Sequence, residues 1–167
     1  MRFNWYNNKA GLFRPFIYGG FMSDYGSIIG IVENGCLVDS SLYNIDGSPV
    51  MDVSAVIGKA VCVDRISCGY KIISHNFNEN SNHYGIVTRD YMDFCKEYYD
   101  AGDPVNVITH GRIWVITQDE HDIPSYKDPV FVKDNGSIST SGFPTSWFFT
   151  GEYVRYSHGY ILLSVQL

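Results

Sequence analysis

Apolar and polar positions alternate most cleanly from Asp103 onward. Val105, Val107 and Thr109 alternate with Asn106, Ile108 and His110. Gly111 then interrupts the run, and Ile113 and Val115 alternate with Arg112, Trp114 and Ile116. Period two is the signature of strands, and the intervening Gly marks a turn. This predicts a hairpin, with strand 112–117 pairing inside it. Both of its faces carry apolar residues, so both are expected to be covered. The pattern Asp-Pro-Val-x-Val-x-x-x-Gly-x-Ile occurs twice, at Asp103–Ile113 and Asp128–Ile138. Six identities at one spacing, 25 residues apart, read as one structural unit used twice.

The remaining chain divides into similar short pieces. Apolar runs flank Asn34-Gly35, the strongest short-range hairpin signal, and predict two strands within 27–38. Residues 53–63 read as one strand bent at Gly58, or as a helical turn. Tyr70–Ile73 and Tyr84–Asp90 read as strands, with an Asn-rich surface loop over Ser74–Asn82. Tyr91, Met92, Phe94, Cys95, Tyr98 and Tyr99 approach a 3.6 period and predict a helix over Tyr91–Asp100; a loop is the alternative. Phe143–Phe149 is an aromatic loop or short strand, and Glu152–Arg155 and Tyr160–Leu167 close the fold. Some ten short strands predict an all-β protein, an antiparallel β-barrel or sandwich.

Residues 1–27 keep neither period. They carry Phe3, Trp5, Tyr6, Leu12, Phe13, Phe16 and Phe21, broken by Gly and Pro. Such a stretch is too apolar for a disordered tail. It predicts an extended N-terminal arm whose aromatics dock on their own domain or on a neighbouring chain. The expected organisation is an arm over 1–27 and a β-domain over 28–167.

Charge and candidate chemistry narrow the function. The net charge is −6, and the 12 Lys and Arg are scattered singly, which gives nucleic-acid binding little electrostatic support. No run of 18 apolar residues offers a helical membrane span, and no secretory leader pattern opens the sequence. Synthesis in a cytoplasm is expected, with Cys36, Cys62, Cys68 and Cys95 as reduced thiols. Cys62, Cys68, His75 and His83 lie close enough in sequence to bind zinc, but intervals of five, six and seven residues fit no common zinc pattern. Asp119-Glu120-His121-Asp122 is a polar cluster in an expected loop. His110 precedes the repeat glycine where the second copy has Asn135, which marks a turn position rather than a catalyst. No nucleophile elbow, His-Glu-x-x-His or phosphate-binding loop is present, and no cofactor motif. These features favour a binding or structural protein over an enzyme.

Gly85-Ile-Val-Thr-Arg-Asp90, followed by Tyr99-x-Ala-Gly-Asp103 and then Val105-x-Val107-x-x-x-Gly111-x-Ile-Trp-Val115, resembles the capsid cement, or head decoration, proteins of tailed phages. Gly58-Lys-Ala-Val61 and the second unit at Asp128 fit the same family pattern. The resemblance covers roughly 28–167. It implies a barrel or sandwich that binds the outer surface of the assembled head. It implies a homotrimer that clamps adjacent major capsid protein subunits against internal DNA pressure, with no enzymatic activity. On this reading Phe3, Trp5, Tyr6, Leu12, Phe13 and Phe16 make the capsid or intersubunit contacts, with Trp5, Phe13 and Phe16 as anchors. The alternative is a fibre or tail-associated module that binds carbohydrate or a receptor.

Overall fold

The computed structural model describes residues 32–90, 96–117, 123–155 and 160–167. The described residues contain strands and turns and no helix, so the chain is all-β as its patterning predicts. The strands are β1 (Asn44–Asp46), β2 (Val50–Met51), β3 (Ala55–Val56), β4 (Ala60–Ser67), β5 (Tyr70–Ser74), β6 (His83–Val87), β7 (Tyr98–Tyr99), β8 (Val107–His110), β9 (Arg112–Thr117), β10 (Pro129–Val132), β11 (Ile138–Ser139), β12 (Phe143–Arg155) and β13 (Ile161–Gln166). They form a six-stranded sheet, β1-β8-β6-β4-β5-β2, a five-stranded sheet, β11-β10-β12-β13-β9, and the small pair β3-β7. Every pairing is antiparallel except β2 with β5. The far side of β2 is also bonded, through Gly102 N to Met51 O at 2.9 Å and Val105 N to Pro49 O at 2.8 Å. Those residues lead into β8, so the six-stranded sheet is tied back towards its own start.

The alternation of side chains places that sheet between two cores. Ala60 and Cys62 of β4, Ile86 of β6 and Ile108 of β8 point towards the five-stranded sheet. There they join Ile113, Val115, Val130, Val132, Trp147, Phe149, Leu163 and Val165 in the main core. The neighbours in sequence, Val61, Val87 and Val107, point the other way and pack with Met51, Ala55, Ile57, Ile73, Tyr99 and Val105. Each such side chain removed from water contributes about 1.5–3 kcal/mol, and only a sheet covered on both faces collects that gain from consecutive residues.

The two copies of the repeat fold differently. The second is the expected hairpin: β10 and β11 pair with Phe131 opposite Ser139 and Val132 opposite Ile138. The first is not. β8 lies in the six-stranded sheet and β9 in the five-stranded one, and Gly111 makes the corner between them. Its φ is +116°, and a Cβ there would press into Tyr43. Gly111 O accepts from Leu167 N at 2.9 Å, which fastens the corner to the end of the chain. β9 therefore pairs with β13 along its whole length rather than inside the repeat. The local pattern is the same in both copies; the apolar load differs. Ile113 and Val115 serve the main core, while Trp114, on the opposite face, needs separate cover.

Other boundaries shift for similar reasons. Gly58 does not bend one strand but separates β3 and β4, which belong to different sheets. Tyr98–Tyr99, expected as the end of a helix, is a strand: Tyr98 pairs with Val56, and buried Tyr99 donates its hydroxyl to Thr88 O at 3.0 Å. Residues 91–95 of that expected helix lie outside the described residues. Phe143–Phe149 and Glu152–Arg155 are one strand, β12, with a bulge between Phe149 and Tyr153. In the Asn-rich loop Phe77 is buried in the main core, and its amide donates to Asp134 O at 2.9 Å.

Trp114 is 7% exposed. Trp114→Ala is expected to cost about 3 kcal/mol in urea unfolding, the scale of a deleted buried aromatic. A loss below about 0.5 kcal/mol would place the indole outside the fold's energetics.

Candidate functional site

The six residues expected to make contacts, Phe3, Trp5, Tyr6, Leu12, Phe13 and Phe16, lie outside the described residues, as does the Asp119–Asp122 cluster. What the structure shows is where the chain emerges from that N-terminal region. Val32 and Val38 flank buried Cys36, and together they pack over Trp114, Leu162 and Val154 on the outer face of the five-stranded sheet. The backbone of 35–38 bonds to the free edge of β9: Gly35 N to Trp114 O at 2.8 Å, Trp114 N to Cys36 O at 2.9 Å and Val38 N to Arg112 O at 3.0 Å. An open strand edge is a template for unwanted pairing, and this segment closes it.

Asn34-Gly35 does form a turn, closed by Cys36 N to Glu33 O at 3.1 Å. Its Asn side chain does more than turn the chain. Nδ2 donates to Ile57 O at 2.8 Å, and Oδ1 accepts from Ile116 N at 3.0 Å. The carboxamide thus spans from the β3–β4 connection to β9. It fits because Gly58, at φ +80°, leaves the space a Cβ would take from the Asn34 side chain. Arg89, 6% exposed, fastens the same turn from below. Its amide donates to Gly35 O at 2.8 Å, Nε to Asn34 O at 3.2 Å and Nη1 to Lys96 O at 3.1 Å. The Glu33 carboxylate stands 3.6 Å from Nε. Burial pushes the Cys36 thiol up to about 11, against the opposing pull of the Arg89 guanidinium, so this thiol stays protonated and inert.

The candidate zinc residues do not converge. Cys68 is exposed at the β4–β5 turn, and Cys62 is buried in the main core. The Cys62 Sγ lies among oxygens, with Asn76 O at 3.3 Å and Asp64 Oδ1 at 3.7 Å. Burial, with Asp64 adding to it, raises its pKa, the reverse of what a thiolate ligand needs. His75 is bound to backbone on both ring nitrogens, and His83 stacks on Phe77 with ring centroids 5.2 Å apart. No group of three His, Cys, Asp or Glu able to hold a metal occurs among the described residues. Among the described residues, the carboxylate shifted furthest from its ordinary value is Asp46. Burial pushes it up, but hydrogen bonds from Lys71 at 2.6 Å, from Ser48 and from the Tyr84 hydroxyl outweigh this and hold it well below the usual carboxylate range. The group ties β1, β5 and β6 together and leaves no free base.

Exposed apolar side chains include Val53 and Tyr126 and those on two projections of the chain. The β4–β5 hairpin runs out of the body, with Asp64–Ser67 and Tyr70 exposed on it. Cys68 and Gly69, both at positive φ, make a tight primed turn. Ile66 is 74% exposed and Tyr70 55%. Arg65 pairs with Asp52 at 2.6 Å and Lys71 with Asp46, so the basic residues of the hairpin are matched and its tip, residues 66–70, carries no charge. The second projection is Leu42, 87% exposed. It follows a turn in which Asp39 Oδ1 accepts from Ser41 N at 2.9 Å, while Arg112 pairs with the other oxygen of Asp39. Exposed apolar side chains of this kind suit contact with another macromolecule.

A family model described as XM1 gp53 minor capsid protein matches residues 22–167. The chain belongs to the XM1 gp53 minor capsid protein family. It is thus a tailed-phage capsid-associated protein, and its family is a structural one. A chain from the solved capsid of Myoviridae phage XM1 has the same fold: TM-score 0.60 at 17% identity, covering 80% of this chain and 88% of that one. Curated proteins give no match. The six aromatic-arm residues precede the part matched by the minor capsid family model. Arg89 and Asn34, in contrast, fall within it. Arg89 stands in the Gly-Ile-Val-Thr-Arg-Asp run, where an Arg ending a buried strand was the available signal; nothing in the sequence pointed to the span of Asn34.

Arg89→Met keeps the apolar stem and removes the guanidinium, leaving the carbonyls of Asn34 and Lys96 without this donor. The expected cost is about 3 kcal/mol in guanidinium unfolding. A cost under about 1 kcal/mol would show that the turn at Asn34 holds without it.

Proposed function

We propose that this minor capsid protein is a cement protein. It binds the outer surface of the phage head as a homotrimer and clamps adjacent major capsid protein subunits. The observation that carries the reading is membership of a minor capsid family by a β-domain with an aromatic N-terminal segment and no catalytic set. The domain, 28–167, acts as the rigid body. The arm, 1–27, makes the contacts through Phe3, Trp5, Tyr6, Leu12, Phe13 and Phe16. Large aromatics with few charges nearby give much contact area at low entropic cost. The fastening of residues 33–38 onto β9 supports this, because it gives the arm a fixed point of departure. The uncharged hairpin tip and Leu42 supply further apolar contact area on the domain. A trimer presents several linked contacts at once, so each can be modest. No substrate or cofactor enters this role, and the protein is assembled into the virion after synthesis in the host cytoplasm.

Removal of residues 1–20 tests the arm. The shortened protein is expected to unfold at an unchanged denaturant midpoint and to stop co-sedimenting with heads. Head binding equal to that of the full chain would remove the arm from the interface.

A further inference from the structure

The ring of His75 joins two sheets. Its Nδ1 lies 2.8 Å from Ala60 O, at the start of β4, and its Nε2 lies 3.0 Å from Val56 N, in β3. A carbonyl only accepts and a backbone amide only donates. The ring is therefore neutral, with its hydrogen on Nδ1 and its lone pair on Nε2. Protonation would set an N–H on Nε2 against the N–H of Val56 and break that bond.

The surroundings disfavour the second proton. Burial lowers the affinity of the ring for it, the bond to Ala60 O acts in the opposite sense, and the Lys59 ammonium adds to the lowering. Lys59 belongs to the β3–β4 connection and reaches Asn135 O at 3.3 Å. Gly136 covers the ring closely enough that a Cβ there would crowd it, and Lys133 and Asp134 belong to the same turn. Val56 is opposite Tyr98 on the exposed face of β3-β7, while Ala55 and Tyr99 on the inner face are buried in the second core. Loosening Val56 would therefore loosen the strand pair that lids this core.

We propose that His75 is a pH-sensitive latch that holds β3, and with it β7, against the six-stranded sheet, and that acid releases them. The sign follows from the neutral form being the bound one. The latch is at full strength above the ordinary histidine value of about 6.5 and weakens as pH falls below it.

Backbone amide exchange in the full-length protein, followed by NMR and corrected for intrinsic rates, tests this. Between about pH 6.5 and 5.5 the protection of the Val56 amide is expected to fall by up to about tenfold, one decade per pH unit for a single released proton site. The amides of Leu163 and Val165, in the five-stranded sheet, are expected to keep theirs. His75→Gln retains an acceptor near Nε2 that does not ionise, and its Val56 protection is expected to stay level. Level protection in the wild type, or the same fall in His75→Gln, would overturn the latch. Should that variant fail to fold, the ring nitrogens of the wild type decide: the Nδ1–H tautomer near pH 7 supports the proposal, and a charged or Nε2–H ring refutes it.

Discussion

Arg89 and Asn34 hold together parts of the chain that lie far apart in sequence. The guanidinium reaches the turn at Asn34 and the carbonyl of Lys96, and the Asn34 carboxamide continues to Ile57 and Ile116. A charge this buried is tolerable only when its donors are used, and a carboxamide so placed only when both of its ends are. Their satisfaction fixes the path of residues 33–38. That path seals the edge of β9 and roofs Trp114. The course of residues 33–38 over the domain follows from this pair of side chains.

The same economy runs through the sheets. Consecutive residues of β4, β6 and β8 feed opposite cores, and β9 feeds the main core with Ile113 and Val115 and the outer cluster with Trp114. A sheet covered on both faces has little freedom to slip, because a shift of one residue would exchange the occupants of both cores at once. The register of these strands is thereby fixed, while Leu42 and the β4–β5 tip stand exposed. For the cement role proposed above, a body of fixed register with apolar side chains on projections is a coherent division of labour.

Much of this was legible in the sequence. Period two gave the strands around 105–117, 128–138 and 160–167, and the double-sided apolar content of 105–116 announced burial on both faces. Partnering was not legible. The two repeat copies share six identities, yet one is a hairpin and the other a corner, since the choice depends on where Trp114 and β13 find cover. Tyr98–Tyr99 looked helical because aromatics every three or four residues fit a helix; the backbone instead pairs with Ala55–Val56 over the second core. Asn34 read as a turn former, and only the backbone of Gly58, distant in sequence, shows what its side chain does. The arm residues were singled out by composition alone, and the described residues do not include them.

Membership of the minor capsid family gives the protein its place, and the cement reading assigns it a surface and a task there. Electron cryo-microscopy of undecorated capsids mixed with the purified protein addresses that assignment most directly. The account predicts added density on the outer shell at three-fold or local three-fold positions, with the β-domain outermost and its N-terminal segment running between major capsid subunits. Shells that remain bare at micromolar protein, or density confined to the tail, would contradict it.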